Sequence, residues 1–172
     1  MNHQTVKPSA PGSVQINVHK ESLHFSCAHF TIFSKNRREN LHGHNYRVRA
    51  VATGKISDNG LCFDYNILKS ILAEHCERLD EHILIPTQSP YLQIMEETEH
   101  YRLKFADEFM LLCKRDVVLI NIRNITVEEL ARWFLQQLLE DSRFTSLSIQ
   151  QFTLSIASGP SEHASVTWSN QQ

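Results

Sequence analysis

Two periods of hydrophobic spacing alternate along the chain and set the order of its elements. Val14 to Phe33 and Leu41 to Ile56 place apolar and polar residues by turns, as half-buried strands do, and the second run closes at Gly54 and the turn Ser57-Asp58-Asn59-Gly60. From Asp64, a helix N-cap, the spacing lengthens, so that Ile67, Leu68, Ile71, Leu72 and Cys76 share one face of a helix predicted to reach about Leu79. Ile85 to Arg115 follows neither period. Pro86, Pro90 and the acidic cluster Glu96-Glu97-Glu99 break it up, which predicts an irregular insertion, a loop over 87–114, leading into the apolar run Val117-Val118-Leu119-Ile120. A second helix opens at Thr126, where Glu129 completes a capping box and Leu130, Trp133, Phe134, Leu135 and Leu138 supply the buried side. Strand spacing returns over Leu147 to Ala157 and Ala164 to Trp168, separated by Ser158-Gly159-Pro160-Ser161-Glu162.

Two strands, a helix, an insertion, a helix and two strands predict an α+β domain in which an antiparallel sheet carries both helices on one face. At 172 residues and 41% hydrophobic, the chain suits one domain, expected over 14–172, with the polar segment Met1–Ser13 as a frayed tail. A net charge of −2 gives no global footprint for nucleic acid or an anionic membrane. No apolar run approaches the roughly 20 residues of a membrane span, and the first residues lack the apolar core of a signal peptide, so the expected compartment is the cytoplasm. Cys27, Cys62, Cys76 and Cys113 show no C-x-x-C spacing, which argues against a disulfide framework or a thiolate zinc site. Three of them read as small buried hydrophobes. Cys27 shares a strand face with His29 and is held as a supporting group beside it.

The candidate chemistry lies in Leu41-His42-Gly43-His44-Asn45-Tyr46. On a strand, residues at i and i+2 leave the same face, so both imidazoles can reach one ion. His29, on the preceding strand, comes opposite the pair if the two strands fold back antiparallel. Three neutral imidazoles with an open position form the ligand set of a catalytic zinc site. Among 10 histidines a chance pairing is the other reading; Gly43, Asn45 and the third histidine weigh against it.

Further motifs follow in order: His29 after Phe25, the segment Leu41 to Tyr46, Gly60-Leu61-Cys62-Phe63-Asp64-Tyr65 with Leu68-Lys69, Leu79-Asp80, and Thr126-Val127-Glu128-Glu129-Leu130-Ala131. In that order they resemble the 6-pyruvoyltetrahydropterin synthase and 6-carboxytetrahydropterin synthase family over residues 15–168. The resemblance implies a tunnelling fold, with a four-stranded antiparallel sheet and two helices per subunit and copies assembled around a central barrel, commonly as hexamers. It also implies zinc held by His29, His42 and His44, and 7,8-dihydroneopterin triphosphate bound at a subunit interface. A Lewis acid on the side-chain hydroxyls, with acids and bases beside it, suits proton transfer and triphosphate loss on such a substrate.

Three positions depart from the family. Its proton-abstracting cysteine is absent from Lys35-Asn36-Arg37-Arg38-Glu39-Asn40, which leaves Glu39 as the nearest base, or as a loop carboxylate. The family's Asp-His relay meets Leu79-Asp80-Glu81-His82, where Glu81 takes the histidine's place unless a one-residue bulge lets Asp80 pair with His82; a surface pair ending a helix is the alternative. The glutamate that anchors the pterin is matched by Ser158, with Glu162 four residues on, and Thr126 matches a position near the pterin although capping also explains it. The expected function is a zinc-dependent lyase on a dihydropterin phosphate; the alternative is a non-catalytic protein of the same fold keeping structural zinc or binding another purine-like heterocycle.

Overall fold

The structure, a computed structural model, describes residues 12–170. The tail expected over 1–13 lies outside the described residues except for its last two, and Ser13 already begins the first strand. The run expected as one strand is divided into β1 (Ser13–Val18), β2 (His24–His29) and β3 (Ile32–Ser34). A turn in which the Leu23 N–H donates to the Lys20 carbonyl separates the first two. β3 forms a small ribbon with β4 (Arg37–Arg38), and β5 (His42–Lys55) follows as the longest strand. β1 and β2 both pair antiparallel with the same edge of β5, β1 with its second half and β2 with its first, so together they act as one interrupted strand.

After β5 comes α1 (Tyr65–Glu77), then β6 (His82–Pro86), β7 (Leu92–Glu96), β8 (His100–Phe105), β9 (Glu108–Cys113) and β10 (Val117–Ile120). α2 (Val127–Glu140), the single turn α3 (Ser142–Thr145), β11 (Ile149–Ala157) and β12 (His163–Ser169) complete the chain. β11 pairs antiparallel with the free edge of β5, and β12 with β11. The four expected strand runs are therefore present, but four is too few. β6 and β10 extend the sheet at the β2 edge by parallel pairing, giving seven strands that are not all antiparallel. Parallel strands lie buried and read as continuous apolar runs, which is why Ile83-Leu84-Ile85 and Val117-Val118-Leu119-Ile120 show no alternation to betray them.

The insertion is also ordered where an irregular loop was expected. β7, β8 and β9 form a three-stranded antiparallel meander whose Leu92, Leu103 and Phe105 bury against Phe30, Ile32, Ile85 and Val117, a second small core. The helices begin as predicted. The Asp64 carboxylate accepts the Asn66 N–H at 2.9 Å and the Thr126 hydroxyl accepts the Glu129 N–H at 3.4 Å, each satisfying an N–H that the first turn leaves free.

Leu68, Ile71, Leu72 and Cys76 of α1 and Leu130, Ala131, Phe134, Leu135 and Leu138 of α2 share the main core with Phe25, Tyr46, Val48, Ala50, Phe152, Leu154 and Ile156 of the sheet. Both helices thus cover one face. The intervening residues of β5, among them Asn45, Arg47 and Arg49, face the open side. Among the described residues no helix is long and apolar enough to cross a membrane.

Candidate metal centre and its surroundings

The register of β2 on β5 assembles the site. His29 lies directly opposite His42, and Cys27 opposite His44, so three imidazoles leave the same face at the end of the main core. Their ring nitrogens offer one ligand atom each within 4.8 Å of one another. His42 Nδ1 sits 2.8 Å from the Asn40 carbonyl, which holds the proton on that nitrogen and leaves Nε2 as a lone pair toward the centre. That Nε2 is 3.0 Å from His44 Nε2. Two imidazole lone pairs this close repel unless a proton or a cation stands between them.

His29 is only 4% exposed and its Nδ1 is buried without a partner in good hydrogen-bond geometry, although the Ile125 carbonyl acts weakly on the ring. Burial first, and then the neighbouring His42 and His44, push its pKa down to about 4, so the ring is neutral at pH 7. Neutral imidazoles are what a metal ion requires of histidine. The donor set, the orphaned buried nitrogen and the close nitrogen pair all fit a bound metal ion.

Tyr46 completes this layer, with its hydroxyl 3.0 Å from His29 Nε2 and its ring stacked on Phe25. Burial raises its pKa above the usual phenol value, so it stays protonated. Sequence reasoning gave Tyr46 no role, yet strand alternation from His44 was signal enough to place it on the same face. Asn124 was missed as well, and no sequence signal points to it. Its side chain accepts the Ile32 N–H at 3.0 Å and donates to the Ile32 carbonyl at 2.9 Å, fastening the approach to α2 against the chain just beyond His29.

Glu39 is brought to the centre. Its carboxylate accepts the Thr31 N–H at 3.0 Å while its own N–H donates to the Thr31 carbonyl at 2.9 Å. Burial works to raise its pKa, but the bond from Thr31 and the adjacent His42 and His29 outweigh that and hold it below the usual carboxylate value. Arg38, next in the chain, donates to the Glu39 carbonyl at 2.8 Å, pairs with Glu108 of β9 and lies over the rings of Phe30 and Phe105. The insertion is therefore anchored to the segment that carries Glu39.

Asp80, Glu81 and His82 do not form the carboxylate–imidazole pair that a one-residue bulge would allow. The irregularity exists, since Glu81 has a left-handed φ of 58°. However, the Asp80 carboxylate accepts the Ser26 N–H at 2.6 Å, and His82 Nδ1 lies 2.5 Å from the Asp80 carbonyl instead. The exposed Glu81 gives its N–H to the Ser26 carbonyl. These bonds stitch the end of α1 and β6 to β2. His82 and Glu81 nonetheless share with His44 and Cys27 a shallow cleft of about 280 Å³. The Cys27 thiol is buried, and burial, with the Asp80 carboxylate second, pushes its pKa up to about 12. It is a protonated packing group.

The expected substrate residues divide. Thr126 caps α2 and follows Ile125, whose carbonyl acts on His29, so the start of α2 stands beside the triad. Ser158 and Glu162 lie in the β11–β12 turn, where the Ser158 N–H donates to the Glu162 carbonyl at 3.2 Å and the Glu162 side chain is exposed.

A family model described as 6-pyruvoyl tetrahydropterin synthase matches residues 17–166. A relative from Pyrococcus abyssi, named "Putative 6-carboxy-5,6,7,8-tetrahydropterin synthase", is 26% identical over 146 residues, 83% of this chain and 85% of its own. One of the same name from Methanocaldococcus jannaschii is 27% identical over 130 residues, 74% and 78% of the two chains. Among solved structures, the 6-pyruvoyl tetrahydropterin synthase of Plasmodium vivax superposes with a TM-score of 0.86 at 33% identity, covering 92% of this chain and 99% of that one. A variant of the Plasmodium vivax protein, 31% identical with the same TM-score of 0.86 and the same coverage of 92% and 99%, has a glutamate described as a catalytic residue replaced by alanine.

The neutral His29 gives the metal-free protein a defined pH dependence. Unfolded, the ring takes up a proton below about 6.5; folded, it refuses one until about pH 4. Stability is thus fully present above about 6.5 and falls as pH drops through this window, by on the order of 3 kcal/mol. Urea unfolding of chelator-treated protein at several pH values should show this loss, and His29→Gln should remove it. Identical pH profiles for the two proteins would show that the folded ring protonates freely.

Proposed function

The chain belongs to the 6-pyruvoyl tetrahydropterin synthase family, and we propose that within it the protein is a zinc-dependent lyase acting on 7,8-dihydroneopterin triphosphate or a related dihydropterin, by triphosphate elimination or side-chain cleavage. Family membership makes it an enzyme of the pterin synthase type and sets aside the non-catalytic alternative. The observation that carries the reading is the convergence of His29, His42 and His44 with one ionised carboxylate, Glu39, beside them. Three imidazoles with no thiolate or fourth protein ligand grouped with them among the described residues favour zinc with an open position. When bound there, zinc supplies Lewis acidity to the hydroxyls of the substrate side chain.

The chain's own residues do the rest. Glu39 takes the proton from the side-chain carbon, and its two bonds to Thr31 hold the carboxylate in place for that transfer. A relative whose catalytic residue is a glutamate supports this assignment over the cysteine of other members. His82, with Glu81 along the same cleft, is the group proposed to return a proton, and Asp80 orients it through its carbonyl. Thr126 borders the substrate at the start of α2. Ser158 and Glu162 meet it from an adjacent copy. β12 leaves its outer edge unpaired among the described residues, and such an edge is normally closed by another chain. The proposed assembly is accordingly a homo-hexamer, working in the cytoplasm, where its four free cysteines stay reduced.

Three outcomes are expected. Protein purified without added metal should contain about one zinc per chain, and His42→Ala and His44→Ala should each lose most of it; equal zinc in all three proteins would end the metal assignment. Incubated with 7,8-dihydroneopterin triphosphate and followed by mass spectrometry, the wild type should give a processed pterin. Glu39→Gln, which can still accept the Thr31 N–H, should slow that conversion by about a hundredfold or more with zinc retained, and Cys27→Ser should be nearly silent. Full activity in Glu39→Gln would move the base elsewhere. Light scattering at micromolar concentration should return six times the chain mass, and a monomer would refute the assembly.

A further inference from the structure

β1, β2, β5, β11 and β12 together contain no aspartate or glutamate, in a chain that has 19 acidic residues against 17 basic ones. The absence matters most on the face turned away from the helices. There the register lines up His24, Arg47, Ala157 and His163 across four strands, and Arg49, Ser155 and Ser165 in the next row of that face. Arg47 and Arg49 leave β5 about 7 Å apart. Both are exposed, and among the described residues neither guanidinium makes an ion pair or hydrogen bond within the chain. Arg47, Arg49, Ser155, Ala157 and His163 of these rows, with Asn45 and the Gly159-Pro160 turn, line a cavity of about 520 Å³. Among the described residues the carboxylate nearest this lining is that of Glu162, beside Gly159.

Unpaired guanidiniums are normally answered by nearby acids, because concentrated like charge is costly. Here the strands supply none, and what they supply instead are hydroxyls, with Ser155 Oγ and Ser165 Oγ 2.7 Å apart. Two forked cations, the Ser155 hydroxyl and a histidine around one cavity match the oxygens of a phosphate chain, which accept several hydrogen bonds and repel carboxylates. Alternation along β5 directs His42 and His44 to the helical face and Arg47 and Arg49 to the other, so this groove is separate from the metal centre.

We propose that the open face of the sheet holds a second binding site, for a condensed phosphate or the phosphate chain of a small ester, centred on Arg47, Arg49 and His163. The site stands whatever reaction the metal centre performs. Calorimetric titration of the full-length protein with tripolyphosphate at low ionic strength tests it, with a nucleoside triphosphate as a parallel arm to tell a free phosphate chain from an esterified one. The wild type should bind, and more weakly as salt is raised. Arg47→Gln and Arg49→Gln should each cost about tenfold in affinity, with Arg47→Lys recovering part of the loss. Melting temperature, zinc content and oligomer mass should not move. His42→Ala should bind tripolyphosphate as the wild type does. No binding by the wild type, undiminished binding by both glutamine variants, or its loss in His42→Ala would each overturn the proposal, the last by placing the anion at the metal.

Discussion

The pairing of β2 with β5 is the constraint on which the rest depends. Side chains on a strand alternate, so a slip of one residue would send His42 and His44 to the open face and leave His29 facing a glycine. The register is held from behind by packing. Phe25 and Tyr46 stack with their ring centroids 5.0 Å apart, and both are almost wholly buried in the main core under the helices. The same slip would expose the Tyr46 ring together with Val48 and Ala50 and leave Phe25 without its stacking partner. The hydrophobic pattern that folds the sheet is therefore also the device that aims the imidazoles.

Burial sets the chemistry of the same row. His29 remains neutral and Cys27 remains a thiol for one reason: neither charged form is tolerated among apolar neighbours. Glu39 is less enclosed and ionised, held to Thr31 at the margin where the core meets the insertion. The two buried groups are thus neutral and the shallower carboxylate is charged. Arg38 marks the same margin by joining β4 to β9 and lying over two aromatic rings.

Much of this was legible in the chain. The imidazole cluster and both helix starts depend on short-range spacing and caps, and His-x-His, Asp64 and Thr126 are read from a few residues each. What escaped reading depends on distant partners. β6 is a strand only because β2 offers it an edge, and β10 because β6 then offers another, and a continuous apolar run carries no period to say so. In the insertion, Pro90 and three glutamates hid a meander whose apolar residues are answered by Phe30 and Ile32 some sixty residues earlier. The Asp80–His82 arrangement was out of reach for a further reason, since it turns on the backbone of Glu81 and on a carboxylate already committed to Ser26.

The three imidazoles fall within the span from residue 29 to residue 44, on two paired strands, whereas Asn124 meets Ile32 and Ile125 acts on His29 from far down the chain. The imidazole cluster and its border are thereby built from separate stretches of sequence. Substitutions around the start of α2 can remodel that border while the imidazoles stay as they are. A fold divided in this way can vary what borders the cluster without first having to rebuild the cluster itself.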